Sequence, residues 1–285
     1  MIFKNTFREK VENKKFTISL EINPNKKGDL QKNFQEIALC APFLDAIDVT
    51  DSSMARLTPS SFIVASEIQR KFDIPTIFNF TCRDRNILGI KSDLMGALIL
   101  GIENIICLTG DPPVHGDHPN TKPVYEINSS GLLALCNNLS TVNHKFFTGG
   151  VLNFNDNKKV MEKMCEIKKS AGAKFIITQP VYTKNRIDFL QKLQEKFSLP
   201  IIVGILPIKS WRIAKYMQEK VVGITIPVEQ YEKMEKLSDS DILQFQIENA
   251  STLYNYAKKL KLSGVHFMPL GQGDKIPQII KNDSK

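Results

Sequence analysis

Ile105-Ile106-Cys107-Leu108-Thr109-Gly110-Asp111 is an apolar, β-branched run that stops at a glycine and a carboxylate, and it opens the loop Pro112-Pro113-Val114-His115-Gly116-Asp117-His118-Pro119. Seven other runs end in a similar way. Phe16-Thr17-Ile18-Ser19-Leu20 ends at Glu21, residues 46–49 end at Thr50-Asp51, and Ile77-Phe78-Asn79-Phe80 ends at Thr81-Cys82-Arg83-Asp84-Arg85-Asn86. Residues 146–152 end at Asn153, residues 175–177 at Thr178-Gln179, residues 201–206 at Pro207, and residues 265–270 at Gly271-Gln272. Short apolar runs bounded by turn residues suit strands buried on both faces. When strands from distant parts of a chain all place polar groups at their carboxyl ends, those ends converge on one site in a parallel barrel.

Segments with helical spacing lie between the runs. Leu30, Phe34, Ile37 and Ala38 share one face of the first. Thr58-Pro59 predicts an N-cap followed by proline at the first helical position, leading into Phe62, Ile63, Ile68 and Phe72. Ile87, Ile90, Leu94 and Leu98 mark the third helix, Ser129-Ser130 starts the fourth, and Asp156 is expected to cap a fifth that runs to Ala171. Thr183, Ser210 and Ser240 are expected at the starts of the next three, the last of which reaches Leu260.

Residues 222–236 are extra, and Gly223-Ile224-Thr225-Ile226-Pro227 resembles a strand, which leaves the count ambiguous by one. The helix reaching Leu260 must be followed by something that closes the sheet, so Gly264-Val265-His266-Phe267-Met268 is assigned as the eighth strand. Residues 222–236 then become a loop with its own helix on the functional face. The expected fold is α/β, a single (β/α)8 TIM-barrel domain over residues 1–285, ahead of an open doubly wound sheet.

A hydrophobic share of 42% and a charged share of 24% fit one sizeable globular core. No apolar stretch is long enough to span a bilayer, and residues 1–15 are charged without the apolar centre of a signal peptide, so a cytoplasmic protein is expected. The net charge of +8 favours anionic partners, yet it is spread over helix-like segments and carries no base-stacking motif, so no nucleic-acid partner is expected. Cys40, Cys82, Cys107, Cys136 and Cys165 form no Cys-x-x-Cys pair and read as buried reduced thiols. Neither GxGxxG nor a P-loop is present, so a nucleotide would be held without the usual glycine-rich turn.

Glu21 follows an alternating strand and precedes Ile22-Asn23-Pro24, which places a carboxyl near the mouth, either as a general acid made available by desolvation or as an ordinary strand-end carboxylate. Asp111 has turn chemistry around it in Asp111-Pro112-Pro113, while Gly110 beside it lets a flat ring approach the backbone. Gln179 offers a donor and an acceptor to a heterocycle edge. Trp211 begins a helix just past Pro207, where its ring either covers a ligand or packs on the helix start. His115, Asp117 and His118 lack a third ligand at a recognisable spacing, so no metal is expected, and His144 and His266 read as isolated surface or core residues.

Taken together, Val49-Thr50-Asp51-Ser52-Ser53, Thr81-Cys82-Arg83-Asp84-Arg85-Asn86, Leu108-Thr109-Gly110-Asp111-Pro112, Gly116-Asp117-His118-Pro119, Val124-Tyr125-Glu126-Ile127-Asn128-Ser129, Ile177-Thr178-Gln179-Pro180 and Gly204-Ile205-Leu206-Pro207 resemble the methylenetetrahydrofolate reductase family, in order over nearly the whole chain. The likeness is greatest to the reductase half of bacterial proteins that fuse this barrel to a homocysteine methyltransferase.

The resemblance implies FAD at the carboxyl ends of the strands, reduced by NAD(P)H, with hydride passed on to 5,10-methylenetetrahydrofolate to give 5-methyltetrahydrofolate for methionine synthesis. On this reading Glu21 matches the general acid that opens the methylene-bridged ring. Asp111 matches the carboxylate beside flavin and folate, which favours a cationic iminium. Thr50, Asn79, Gly110 and Tyr125 fall at flavin-contact positions, with Asn79 in place of a histidine. Lys168 is what remains of a polar set facing the FAD pyrophosphate. Gln179 matches a residue that binds pterin and nicotinamide, Trp211 takes the place of a stacking phenylalanine, and Gln272 stands where an arginine often meets the folate glutamate tail, with Lys275 as its substitute.

Two rival readings accompany this one: a folate-binding barrel that works without bound flavin or with electrons from a partner subunit, and a non-catalytic barrel subunit. The residues leave open NADH against NADPH, a homo-oligomer against a monomer, and a separate methyltransferase or electron-transfer partner.

Overall fold

In the computed structural model, which describes residues 3–221 and 223–282, eight parallel strands pair in chain order and close on themselves. They are β1 (Thr17–Ile22), β2 (Ala46–Val49), β3 (Thr76–Thr81), β4 (Asn104–Leu108), β5 (Phe147–Leu152), β6 (Phe175–Pro180), β7 (Ile201–Ile205) and β8 (Gly264–Phe267). Closure is made by β1 against β8, with Thr17 opposite Gly264 and Leu20 opposite Phe267. The (β/α)8 barrel expected from the apolar runs is the fold observed.

Ahead of the barrel lies α1 (Thr6–Glu12). Around it run α2 (Gln31–Cys40), α3 (Ser61–Phe72), α4 (Ile87–Ile99), α5 (Ser129–Asn137), α6 (Lys158–Ser170), α7 (Lys184–Phe197) and α8 (Trp211–Lys220), then α9 (Val228–Glu235), α10 (Asp239–Lys259) and α11 (Ile276–Lys281). No described helix is long and apolar enough to cross a membrane.

Burial on both faces explains why the strands read as continuous apolar runs. Outward-facing residues such as Leu20, Ile47, Phe78, Ile105, Ile176 and Val203 join the helices in one large core. Inward-facing Ala46, Ile77, Ile106, Phe147, Phe175 and Ile202 form a second cluster inside the barrel, and Phe7 and Val11 of α1 complete it. Phe7 meets Phe175 edge-on at 5.4 Å and Phe147 at 6.2 Å.

Helix α1 is therefore a plug across the floor of the barrel. The charged composition of residues 1–15 conceals it, because only Phe7 and Val11, four residues apart on one face, are buried. Asn5 caps it by accepting from the Arg8 backbone N–H at 3.1 Å, and its amide nitrogen ties the plug to the barrel by donating to Asn104 at 2.7 Å.

Helix starts differ from expectation by one to two residues where two capping types lie side by side. Ser60, not Thr58, precedes α3, and Thr58 instead accepts from the Ser52 backbone N–H. Asn128, Asn157 and Ser238 cap α5, α6 and α10, where Ser129, Asp156 and Ser240 were expected. Thr183 and Ser210 cap α7 and α8 as read from the sequence.

Residues 223–227 form no strand, and Val222 lies outside the described residues. Ile224 and Ile226 are buried in a satellite cluster with Leu206, Ile208, Met234 and Ile242, which fixes the segment and α9 against α8 and α10. All five cysteines are buried and unpaired.

Candidate active site

Strand alternation aims Ser19 and Glu21 of β1, Asp48 of β2, Asn79 of β3 and His266 of β8 into the upper barrel. Glu21 stands beside Asp48 in the β1–β2 register, and Ser19 beside His266 in the β1–β8 register. His266 Nε2 lies 3.8 Å from Glu21 Oε2 and 3.7 Å from Asp48 Oδ2. Its other nitrogen, Nδ1, is 2.9 Å from the Ser19 hydroxyl. Asn79 donates to Asp48 Oδ2 at 3.1 Å, while Asp48 Oδ1 is buried without a hydrogen-bond partner.

Burial pushes the Asp48 carboxyl up to about 7, with Glu21 adding to the rise and His266 and Asn79 opposing it. The Asp48 and His266 side chains are each 2% exposed and that of Glu21 is 18%, so Glu21 is the member that touches solvent. Asn23 donates to Glu21 Oε1 at 3.1 Å and itself accepts from the Thr50 hydroxyl at 3.0 Å, which holds the outer carboxyl oxygen in place.

The ligand atoms of Glu21, Asp48 and His266 all lie within 4.8 Å of one another. Edges of 3.7 and 3.8 Å exceed the roughly 3.4 Å that separates ligands on a tetrahedron with bonds of about 2.1 Å. Two carboxyl groups thus face one imidazole nitrogen at separations beyond hydrogen-bonding distance.

Asp111 stands at the same end of the barrel, past β4. Gly110 before it has φ +94°, and a Cβ there would sit 3.0 Å from that of Arg83, so both backbone and space call for glycine. The Asp111 carboxylate accepts from the Met54 backbone N–H at 3.0 Å, and the Tyr125 hydroxyl donates to the Gly110 carbonyl at 3.2 Å.

The Thr81–Asn86 motif builds this wall. Arg83 donates to the carbonyls of both Ser52 and Asp111, Arg85 pairs with buried Asp51 at 3.1 Å, and Asn86 caps α4. Its charges are thus spent on joining three loops.

Gln179 is re-aimed by a register shift between β6 and β7. There Gly204 donates its N–H to the Thr178 hydroxyl, and a Cβ on Gly204 would lie 2.4 Å from the Thr178 carbonyl. The Gln179 amide oxygen accepts from the Phe154 backbone N–H at 2.8 Å. Beside Gln179 a cleft of about 240 Å³ is lined by Phe154, Asn155, Asp156, Arg186, Gly223 and Thr225.

The structure therefore gathers Glu21, Thr50 and Asn79 into one connected group. It sets Asp111 and Gln179 at the same barrel end, each fastened to a neighbouring loop. Trp211 packs against Tyr231, ring centres 4.6 Å apart, within the satellite cluster. Gln272 opens the short turn Gly273–Lys275 after β8, and Lys275 pairs with Asp274.

Asp48 and His266 were missed by sequence reading. The signal for Asp48 was a carboxylate inside the apolar run of residues 46–49; for His266 it was inward parity with Gly264, legible only once register is known.

Lys168 extends past Gly150 and donates to the Ser129 hydroxyl at 3.2 Å. Burial lowers its pKa, and no carboxylate pairs with it among the described residues. A buried ammonium beside a helix start suits a phosphate group. The donor set thus fits the diphosphate of a dinucleotide. At the ring end, Thr50, Asn79 and Tyr125 are engaged by Asn23, Asp48 and Gly110, and a flavin would exchange with those partners.

Among known proteins, the chain is 25% identical over 250 residues to Methylenetetrahydrofolate reductase 1 of Schizosaccharomyces pombe, covering 84% of this chain and 40% of that protein. It is 28% identical over 233 residues to Methylenetetrahydrofolate reductase 2 of Saccharomyces cerevisiae, covering 76% and 37%. The chain thus spans about two fifths of the length of these curated relatives. In shape it is similar to an uncharacterized Clostridium thermocellum protein that binds two copies of 5-methyl-5,6,7,8-tetrahydrofolic acid, with TM-score 0.67, 16% identity, and coverage of 96% of this chain and 97% of that one. Residues 6–284 match the family described as Methylenetetrahydrofolate reductase, and with the barrel and its mouth as found, this chain belongs to that family.

Proposed function

We propose that the chain reduces 5,10-methylenetetrahydrofolate to 5-methyltetrahydrofolate with electrons from NAD(P)H, in the supply of methyl groups for methionine. The observation that carries this is a family match over residues 6–284 joined to a carboxyl group, Glu21, set among Asp48 and His266 at the barrel mouth. The methylated folate named for the Clostridium protein is the product of this reaction, so a barrel of this shape is able to accommodate it.

Lys168 would hold the FAD diphosphate, and Thr50, Asn79, Gly110, Asp111 and Tyr125 its ring end; when bound, FAD supplies the hydride. Glu21 presents Oε2 toward the interior and donates a proton to the bridging nitrogen as the ring C–N bond breaks. Asp111 contributes a fixed negative charge that favours the resulting iminium cation. Gln179, set by the β6–β7 shift, offers its amide to the pterin edge.

Glu21→Gln tests this reading in stopped flow. Its folate half-reaction is expected to fall by about 10³-fold, exceeding any loss in flavin reduction by at least ~100-fold. Equal loss in both halves would remove Glu21 from its role. A second reading, electrons from a partner protein, is motivated by the thin contact set at the diphosphate end, where Lys168 with the Ser129 hydroxyl stands for a larger polar set. Protein that stays colourless with added FAD yet still turns folate over would select it.

A further inference from the structure

Residues 52–57, which follow β2, cross the mouth of the barrel. The Met54 backbone N–H donates to Asp111 Oδ2 at 3.0 Å, past β4, and the Tyr216 hydroxyl of α8 donates to the Met54 sulfur at 3.5 Å. One loop thus touches the wall beyond β4 and also the helix that follows β7. Strand order sets β1 and β8 between β2 and β7, so the Met54–Tyr216 contact passes above the strands that carry Glu21 and His266.

This crossing is held under strain. Ser52, Met54 and Ala55 have φ of +47°, +55° and +56°, the left-handed region that a Cβ disfavours, and none of the three is glycine. Such a backbone persists only where its surroundings hold it. Its two ends are anchored. Arg83 donates to the Ser52 carbonyl, the Ser52 N–H donates to the Thr58 hydroxyl, and the Leu57 N–H donates to Asp117 at 3.0 Å. Gly116 closes against it from the β4 side, since a Cβ there would sit 1.9 Å from the Ala55 carbonyl oxygen. The middle, Met54, is held by Asp111 and Tyr216, and it occupies the carboxylate that the proposed reaction uses.

We propose that residues 52–57 form a strap that shuts the mouth until substrate opens it, and that a tetrahydrofolate ring does so by giving Asp111 one of its own N–H groups in exchange for that of Met54. This rests on the proposed function and names what that site demands of its ligand. The exchange trades one hydrogen bond to a carboxylate for another, while release of the left-handed residues favours opening. A ligand with no N–H to offer would leave the Asp111 oxygen without its donor and is disfavoured. The strap therefore selects as well as shields.

Hydrogen exchange at the Met54 amide of the flavin-loaded protein tests this. A bound ligand ordinarily slows exchange around it, whereas saturating 5-methyltetrahydrofolate is expected to speed exchange at Met54 by about tenfold, because its N–H loses Asp111. Exchange that slows or stays the same overturns the proposal. Two variants outside the reacting groups should move the strap in opposite directions. Tyr216→Ala removes the latch and is expected to raise both the ligand-free exchange at Met54 and the association rate of 5-methyltetrahydrofolate by about threefold. Ala55→Gly relieves the backbone at φ +56° and should lower both by about fivefold. Changes of the same sign in the two variants, or no change in either, overturn the proposal. Should 5-methyltetrahydrofolate fail to bind the unaltered protein, the assigned function fails, while the ligand-free exchange of the two variants still decides whether the strap opens and shuts.

Discussion

A step of two positions leads from Ala46 to Asp48 on β2, from Ile77 to Asn79 on β3 and from Gly264 to His266 on β8, and across that step the interior changes from an apolar floor to a polar mouth. Below, Phe7, Phe147 and Phe175 pack ring against ring and every group is content. Above, a carboxyl oxygen is buried with no partner and a second carboxyl faces the same imidazole. One set of strands thus stabilises the fold with its lower half and gives some stability back with its upper half, where a carboxyl group is buried short of partners.

The floor offers the largest effect. Phe7→Ala is expected to cost about 3–5 kcal/mol, read by denaturant melts, because it opens a cavity that the closed barrel cannot collapse into. A cost below about 1 kcal/mol would mean that α1 is an appendage and not part of the core.

The mouth should respond with the opposite sign and depend on pH. A carboxyl at about 7 when folded, against 3.8 as its ordinary value, binds more protons in the native than in the unfolded state between those limits. Its contribution is therefore fully present below about pH 4 and is lost as pH rises through about 7. Asp48→Asn removes that slope, so the variant should be more stable than the parent at pH 8 by on the order of a few kcal/mol, and match it near pH 4. A gain that does not vary with pH would place the strain elsewhere.

The smallest effect sharpens the boundary. Asn5→Ala removes the α1 cap and the link to Asn104, and should cost about 1–2 kcal/mol at every pH, with no change in the pH profile of folate reduction.

Much of this was legible beforehand, and the reasons differ by element. The eight runs end where the strands end because parallel strands buried on both faces need unbroken apolar sequence and then a turn. Glu21 could be singled out because it closes such a run. The extra segment reads as a loop with a helix, and its described part, residues 223–236, is one, because a long helix before Gly264 leaves no other way to close the sheet.

Asp48 and His266 were hidden for a physical reason: parity within a strand is readable, but which parity faces inward depends on pairing with a neighbour. Helix α1 was hidden because a helix that uses two side chains to plug a hole needs no apolar stripe. Trp211 shows the reverse case, where a place that suits ligand stacking is taken up by Tyr231.

The plug also bears on how the chain is made. Helix α1 is synthesised before any strand, yet Phe147, Phe175 and Ile202, which receive Phe7 and Val11, are added only after β4. Until then the first segment has no socket, and β1 likewise waits for Gly264 to supply its missing neighbour. The nascent chain therefore carries Phe7 and one edge of β1 without their partners until the later strands emerge, which makes closure of the ring a late event in folding.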